Sequence, residues 1–259
     1  MMDKLPMVTI VIANHNYSDY VGRAIRSAYT QTYPNCQLGI IDDGSTDNSV
    51  EEIKKATSDP KFETYVDFCQ PCMGASEARN RIIRHMWDTT DYFLILDADD
   101  ECYTEKVATL VEKAMQSPDQ IGVVYADYHI LNTKTGNIIH ESKRPYDAYQ
   151  LEKECIVHSQ ALISKVALQH TAEPGKDGDV NFYDPNLHGP KTGGFIGCCE
   201  DYDLWIRISE QFMIVHIPEP LSLVRVTGQN QSTLENVTPE IWQANTAHIR
   251  QKAIQRQNA

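Results

Sequence analysis

The chain of 259 residues is 41% hydrophobic and 23% charged, which is typical of a globular α/β unit with at most a small appendage. Its 36 acidic and 23 basic residues give a net charge of −13, which argues against a nucleic-acid partner because binding a phosphate backbone requires clustered Lys and Arg. No apolar run approaches the roughly 20 residues of a membrane span, and residues 1–8 lack a signal-peptide pattern, so a cytoplasmic location is expected.

Predicted strands and helices alternate along the first half of the chain. The β-branched run at 8–12 predicts a buried strand, and Asn14-His-Asn16 follows it as a polar turn. Further strands are predicted at 37–41, 64–68, 92–96 and 122–125, with helices near 20–28, 51–56, 74–86 and 104–116. This alternation predicts a mostly parallel sheet with helices on both faces. The seven cysteines are odd in number and scattered along the chain, so they are predicted to be free thiols.

The second half has a looser pattern. Residues 174–194 are rich in Gly, Pro and Asn and predict a long loop that orders on substrate binding. A helix over Leu204 to Glu210 is predicted, with Glu200, Asp201 and Asp203 near its start. Residues 242–257 predict an amphipathic helix that packs back on the chain or pairs with a second subunit as a homodimer.

A group of acids follows the strand at 92–96. In Tyr92-Phe-Leu-Ile-Leu-Asp97-Ala-Asp99-Asp100 a short apolar run ends in three carboxylates within four positions. Ligands bind at the carboxyl edge of open α/β sheets, and oxygen ligands of this kind suit Mg²⁺ or Mn²⁺. An acidic turn that caps the next helix is the alternative.

Five motifs in order carry a family resemblance. They are the segment from Val8 to Asn16 with Gln31-Thr-Tyr-Pro34, then Ile41-Asp-Asp-Gly-Ser-Thr-Asp47, Gly74-Ala-Ser-Glu-Ala-Arg-Asn80, Leu96-Asp-Ala-Asp-Asp100 and Glu200-Asp-Tyr-Asp-Leu-Trp205. Together, over about residues 8 to 225, they resemble the family 2 inverting glycosyltransferases with the GT-A fold. The resemblance implies a single Rossmann-like, mixed, mostly parallel sheet flanked by helices, with a C-terminal helical extension.

The resemblance implies a donor site for a nucleoside-diphosphate sugar. Asp43 is expected to accept a hydrogen bond from the nucleobase, although Asp42 and Asp43 shape the turn with Gly44 in the alternative view. The other residues implied at the nucleotide are Ala13, His15, Gly74, Arg79, Asp97 and Ala98. His15 and Arg79 have the alternative of being ordinary core or surface side chains.

The metal and the base are implied by the two remaining motifs. Asp99 is expected to hold the divalent metal, Mn²⁺ or Mg²⁺, that bridges the donor diphosphate, and Asp100 to face the donor sugar. Asp201 is expected to be the general base beside Glu200, held ionised by the helix N-terminus. His158 is expected to contact the acceptor.

One departure from the family pattern concerns the metal. Relatives often carry a histidine shortly after an arginine near Arg225, but the segment from Arg225 to Ser232 has none, so a loosely held metal that arrives with the donor is expected.

The resemblance also implies an organisation and partners. A GT-A domain at 1–225 is expected to contain a nucleotide-sugar half at 1–126 and an acceptor half at 127–225, followed by a helical tail at 226–259. A saccharide or lipid-linked acceptor, surface polysaccharide or glycoconjugate synthesis, and peripheral contact with the inner membrane face fit this picture. A non-catalytic nucleotide-binding scaffold or regulator remains the alternative function.

Overall fold

A nine-stranded mixed sheet organises the chain, and the computed structural model describes residues 5–69, 71–175, 178–185, 187, 199–227 and 238–258 of it. The strands of this sheet are β1 (Val8–Asn14), β2 (Cys36–Asp43), β3 (Thr64–Cys69), β4 (Tyr92–Ile95), β5 (Glu101–Cys102), β6 (Ile121–Asn132), β7 (Ile138–Glu141), β8 (Leu162–Ser164) and β11 (Met213–Val226). Strands β9 (Glu173–Pro174) and β10 (Val180–Asn181) form a short separate ribbon.

The strand order is β3-β2-β1-β4-β8-β6-β11-β5, with β7 paired to the outer part of β6. Strands β1 to β4, β6 and β11 run in one direction, while β5, β7 and β8 run against it. The carboxyl ends of β1, β2 and β4 therefore meet at one edge, where the loops with the acidic motifs begin. Strands from both sides of residue 126 belong to this one sheet.

Eight helices and a short 3-10 helix (Trp87–Thr89) occur among the described residues. The helices are α1 (Val21–Tyr29), α2 (Ser49–Ala56), α3 (Ala75–His85), α4 (Lys106–Ala114), α5 (Ala148–Leu151), α6 (Lys165–Thr171), α7 (Glu200–Ser209) and α8 (Pro239–Gln257). The sheet with its flanking helices and C-terminal helix confirms the predicted fold class.

Apolar side chains fill a core on each face of the sheet. Along β1, Val8, Ile10 and Ile12 pack into one core while Val11 packs into the other, as the two-residue period of a strand requires. Helix α3 lies directly over β2: a Cβ atom on Gly39 would come within 2.2 Å of the Ile82 side chain. The close approach of this helix to the sheet fixes the position of its polar residues at the strand ends.

Several predicted boundaries differ from the structure. Strand β6 has 12 residues, far more than the predicted 122–125, because β7, β8 and β11 all pair with it. Helix α7 begins at Glu200, one turn before the predicted start at Leu204. Residues 173–181 contain the β9–β10 ribbon, so the predicted loop is interrupted, and residues 176–177, 186 and 188–194 of it lie outside the described part.

The C-terminal helix is present, but its predicted amphipathic character is wrong. Its side chains Thr246 and Ile249 are buried, whereas the large apolar side chains Trp242 and Ile254 are exposed. Ile249 and Ala253 pack against the core, and the cationic side chains of Arg250, Lys252 and Arg256 bind the helix to the rest of the chain. These contacts agree with the packing-back alternative, and the predicted dimer stays a prediction.

The described cysteines are free thiols, as predicted: Cys36, Cys69, Cys72, Cys102, Cys155 and Cys199. No helix in the described ranges has the length and apolar character needed to cross a membrane.

Candidate active site

The loops after β1 and β2 are bound to each other. The Asn14 side chain donates to Asp42 over 2.8 Å, and the Ser45 N–H donates to the same carboxylate over 2.9 Å. One ring nitrogen of His15 lies 2.8 Å from the Asp43 carbonyl oxygen, and Asn16 adopts a left-handed backbone conformation with φ of 60°. Asp42 thus shapes the turn, which is the alternative role that the sequence predicted for the Asp42–Asp43 pair.

Asp43 connects this loop to helix α3. Its carboxylate is almost fully buried and accepts the Met73 and Gly74 N–H groups over 2.8 and 2.7 Å, while the Cys72 thiol lies 3.1 Å away. Gly74 has φ of 90°, which other residues adopt only with strain, so glycine is required where the chain turns into the helix. The Asp43 carboxylate therefore positions α3 and, through it, Arg79.

Arg79 joins the two acidic motifs, although 121 residues separate it from Glu200. Its guanidinium donates to Asp97 over 3.0 Å, to Glu200 over 2.8 Å and to Asp201 over 3.4 Å. The ring of Tyr183 lies 5.4 Å from its central carbon, and its side chain is only 8% exposed. Instead of an ordinary surface arginine, the structure has a buried cation shared by three carboxylates.

The charge balance around Arg79 sets the protonation of Asp201. Burial raises the pKa of Asp201 to about 8; the Arg79 guanidinium opposes this shift, and Glu200 and Asp97 add to it. One cation cannot compensate three carboxylates, so one of the acids keeps its proton to higher pH. The expectation that the helix N-terminus holds Asp201 ionised is therefore wrong at neutral pH, because burial and the like charges of Glu200 and Asp97 outweigh the helix.

The same cluster keeps Arg79 charged. Although burial lowers the pKa of Arg79, the carboxylates of Asp201, Glu200 and Asp97 raise it well above its ordinary value. Asp97 accepts a second hydrogen bond, from the Ser159 hydroxyl over 3.0 Å. Its carboxylate is thus engaged by the protein on both oxygens.

The Asp99–Asp100 pair is fastened from behind by Arg225. The Arg225 side chain donates to the Asp99 carbonyl oxygen over 3.0 Å, and its backbone N–H donates to the Asp100 carboxylate over 2.7 Å. The Gln160 side chain donates to the other Asp100 oxygen. Asp100 is 4% exposed, so the structure places it in a buried network and not where it would face a donor sugar; burial raises its pKa well above the ordinary value.

His158 packs inside the second half of the fold. Its ring lies 4.1 Å from that of Tyr128, and its Nδ1 accepts the Gln160 N–H over 3.3 Å, which assigns the proton of the neutral ring to Nε2. Burial lowers the pKa of His158 well below its ordinary value, and Lys106 and Lys143 add to the effect. His158 is thus neutral at pH 7, and its predicted contact with the acceptor stays a prediction.

Two of the remaining predicted residues are alanines, whose side chain is a single methyl group. Ala13 is half-buried near the end of β1 and packs against the core, and Ala98 is 2% exposed between Asp97 and Asp99. The predicted cofactor contacts of both stay predictions. Residues 228–232, which lack the metal-binding histidine of the family pattern, lie outside the described residues.

Tyr17, Ser159, Gln160 and Tyr183 belong to the site but were not predicted. Burial raises the pKa of Tyr17 above its ordinary value, and the charges of Asp99, Asp97 and Asp100 add to this, so the phenol stays protonated beside the acids. Ser159 and Gln160 directly follow His158, which had drawn attention to their segment. No spacing pattern in the sequence distinguishes any of the four.

Potential metal ligands also lie away from this site. In the part of the chain that is described, one group of three acids has its ligand atoms within 4.8 Å of one another: Glu173, Asp184 and Asp203. The Lys252 ammonium lies among them, 2.9 Å from each of the first two. Among the described residues, Asp99 does not belong to a group of this kind.

Comparison with known families decides the identity. The model of glycosyl transferase family 2 matches residues 9–170, more than half of the chain. The chain belongs to glycosyl transferase family 2. This matched region contains the first four motifs and the site residues from Ala13 to Gln160, while Glu200 and Asp201 lie beyond it.

Curated relatives of this family 2 chain include uncharacterised glycosyltransferases. One from Nostoc is 32% identical over 120 residues, covering 46% of this chain and 35% of the relative. YibD of Escherichia coli is 34% identical over 128 residues, covering 49% and 36%. The chain spans about a third of the length of the Nostoc relative and of the relatives from Rickettsia bellii and Rickettsia felis.

Solved structures share the GT-A-type fold of this family 2 chain. TarS of S. aureus in complex with UDP-GlcNAc has a TM-score of 0.68 at 14% identity, covering 94% of this chain and 65% of that one. The mannosyltransferase PcManGT from Pyrobaculum calidifontis, in complex with GDP-Man and Mn²⁺, has a TM-score of 0.64 at 17% identity, covering 88% and 59%.

Proposed function

We propose that this family 2 chain is the catalytic part of an inverting, metal-dependent glycosyltransferase that moves a sugar from a nucleoside-diphosphate sugar to an acceptor hydroxyl. The observation that carries the proposal is the Arg79 guanidinium, which joins Asp97 of the Asp-x-Asp segment to Glu200 and Asp201. A donor-binding segment and a carboxylate able to act as a base thus lie on either side of one buried cation.

The donor side is assigned to the edge formed by β1, β2 and the segment after β4. We assign Asp43 and His15, with the backbone at Ala13, to the nucleobase, and Asp97 to the ribose side. A nucleotide-sugar donor is supported by the structural neighbours, which form complexes with UDP-GlcNAc and with GDP-Man and Mn²⁺. Their low identity leaves the nucleotide of this chain open, so the test uses several.

A divalent metal fits the chemistry of Asp99. Its carboxylate is a hard oxygen ligand, and Mg²⁺ or Mn²⁺ commonly completes its coordination with water and substrate phosphates when few protein ligands are offered. When bound, the metal stabilises the negative charge of the departing nucleoside diphosphate. Arg225 holds the backbone of Asp99 in place, because its guanidinium donates to the Asp99 carbonyl oxygen.

Asp201 is assigned the role of the base. Inversion by direct displacement needs a carboxylate opposite the leaving group that accepts the proton of the acceptor hydroxyl. A pKa of about 8 makes Asp201 a stronger base than an ordinary aspartate, and about a tenth of it is ionised at pH 7. Arg79 orients the carboxylate and partly stabilises its charge, while Glu200 shares the same cation and is placed beside the sugar.

The second half of the fold, beginning near residue 127, is assigned to the acceptor. The acceptor class that fits the resemblance is a saccharide or lipid-linked saccharide in the synthesis of surface polysaccharide or glycoconjugate. The test is designed to work without knowledge of that acceptor, because family 2 enzymes that bind a donor can be assayed for donor hydrolysis.

The experiment measures hydrolysis and transfer from UDP-, GDP- and dTDP-sugars with Mn²⁺ present. Asp99→Ala and Asp201→Asn are each expected to abolish turnover, while Asp119→Asn, an exposed acid distant from the site motifs in sequence, serves as the matched control. Full activity in Asp201→Asn contradicts the assignment of the base. Nucleotide binding without turnover by the wild-type chain across a broad acceptor panel favours the non-catalytic scaffold.

A further inference from the structure

Lys252 of helix α8 inserts into a group of three carboxylates that we call the socket, formed by Glu173, Asp184 and Asp203. The ammonium nitrogen lies 2.9 Å from Glu173 and from Asp184, and 3.7 Å from Asp203. The socket therefore brings together four segments: the chain after α6, the segment after β10, helix α7 and helix α8.

The socket depends on the lysine for charge compensation. Asp203 is fully buried; one of its oxygens accepts from Arg207 over 2.8 Å, and the other accepts no hydrogen bond from the described residues. Although burial lowers the pKa of Lys252, the carboxylates of the socket raise it above its ordinary value, so the ammonium stays charged. Removing it leaves three neighbouring carboxylates, two of them buried, with Arg207 bound to Asp203, which is unfavourable.

The socket lies directly behind the candidate active site. Asp203 is two residues after Asp201 on α7, and Arg207 on the same helix donates to the carbonyl oxygens of Thr171 and Phe182. Tyr183, between Phe182 and the socket residue Asp184, lies against the Arg79 guanidinium. A shift of the socket therefore moves both the helix that carries Asp201 and the ring that supports Arg79.

We propose that Lys252 is a positioning residue for the transfer reaction. By neutralising the socket it holds the N-terminal half of α7 in the place from which Asp201 reaches the acceptor hydroxyl. Helix α8 is thus part of the active-site support and not a passive tail. The catalytic consequence rests on the proposed function, whereas the structural consequence for α7 does not.

Hydrogen exchange of the α7 amides tests the structural part with the full chain. Lys252→Met removes the charge but keeps the aliphatic stem, and the exchange of residues 200–209 is expected to accelerate about 10-fold or more. The matched control is Arg256→Met, which removes an ion pair of 2.8 Å from the same helix to Glu210 at the other end of α7. Arg256→Met is expected to leave the hydrogen exchange of the first turn of α7 unchanged. Lys252→Arg keeps the positive charge and is expected to exchange at the wild-type rate.

Steady-state kinetics test the catalytic part. A displaced base predicts that Lys252→Met lowers kcat by about 10- to 100-fold, with a much smaller change in the donor KM and in the affinity for nucleoside diphosphate. Most of the donor residues lie on or directly after β1 and β2, and only Asp97 is bound by Arg79. Lys252→Arg is expected to recover most of kcat. A general loss of structure would instead weaken nucleotide binding in the same proportion as kcat.

The outcomes separate the two proposals. Unchanged exchange of α7 in Lys252→Met, or equal effects of Lys252→Met and Arg256→Met, overturns the positioning role whatever the activity. Absence of turnover in the wild-type chain overturns the proposed function and leaves the exchange result to decide the role of the socket. Lys252→Gln, which removes the charge but keeps a hydrogen-bond donor on the same side chain, provides a milder variant with the same expected pattern if Lys252→Met does not fold.

Discussion

Replacing Arg79 with methionine is expected to raise the pH at which the transfer reaction reaches its full rate. A base is active when ionised, so kcat/KM of the wild type should rise about tenfold per pH unit and level off above the Asp201 pKa of about 8. Arg79 lies 3.4 Å from Asp201 and lowers its pKa. Removing the positive charge therefore moves the rise to higher pH.

The size of this shift follows from the separation of the charges. At an effective dielectric constant of 20, two unit charges 4 Å apart attract by roughly 4 kcal/mol, and only about 1.4 kcal/mol corresponds to one pKa unit. Since Arg79 is shared by three carboxylates, we expect a shift of about one unit or more. At pH 7 this alone makes Arg79→Met at least about tenfold slower than the wild type.

The assay is the initial rate of transfer from pH 5.5 to pH 9.5 at a fixed metal concentration. Arg79→Lys keeps the charge and is expected to keep the wild-type midpoint. Glu200→Gln removes a negative charge that raises the Asp201 pKa, so its midpoint is expected to move to lower pH. Identical midpoints for Arg79→Met and Glu200→Gln, or shifts in the same direction, refute the shared-cation account.

Three further predictions concern stability and the metal. Because the folded-state pKa of Asp201 is raised, its contribution to stability is present at low pH and is lost as the pH rises from about 4 to 8. Asp201→Asn does not titrate, so its free energy of unfolding in urea should exceed that of the wild type by about 3–4 kcal/mol more at pH 8 than at pH 5; a pH-independent difference contradicts this. Gly39→Ala should destabilise the fold by about 1–3 kcal/mol, because the added Cβ atom clashes with Ile82. Gly22→Ala in helix α1 is the control, since its Cβ atom meets only flexible side-chain ends; it should be neutral or stabilising by less than about 1 kcal/mol in the same titration. Mn²⁺ should bind weakly alone and at least about tenfold more tightly with nucleoside diphosphate by calorimetry, and Asp99→Ala should remove that difference; tight metal binding without nucleotide contradicts a site completed by the donor.

Local sequence patterns were sufficient for most of the first half of the fold. The β-branched run at 8–12 and the apolar run at 92–96 predict buried strands because both faces of this part of the sheet are covered and its strands are therefore apolar on both sides. The length of β6 could not be predicted, because it depends on pairing with β7, β8 and β11. The early start of α7 could not be predicted either, because its first turn contains three acids and lacks the apolar pattern of a helix.

The candidate site was only partly predictable. Asp43, Asp97, Asp99 and Asp201 were identified because they occur in ordered motifs at the ends of predicted strands and helices. The inward position of Asp100 was not, since its partners Gln160 and Arg225 lie 60 and 125 residues away along the chain. The pKa of Asp201 likewise depends on burial, which a sequence position alone does not reveal.

The sequence by itself determined the family, the order of the strands along the chain and the identity of the acids at their ends, because these follow from local patterns and short motifs. Only the tertiary structure decided that Arg79 is the shared cation of two acidic segments and that Lys252 neutralises a socket behind one of them. The physical reason is distance along the chain: an ion pair between residues a hundred positions apart has no local signature, and it forms only where the packed helices bring buried charges together.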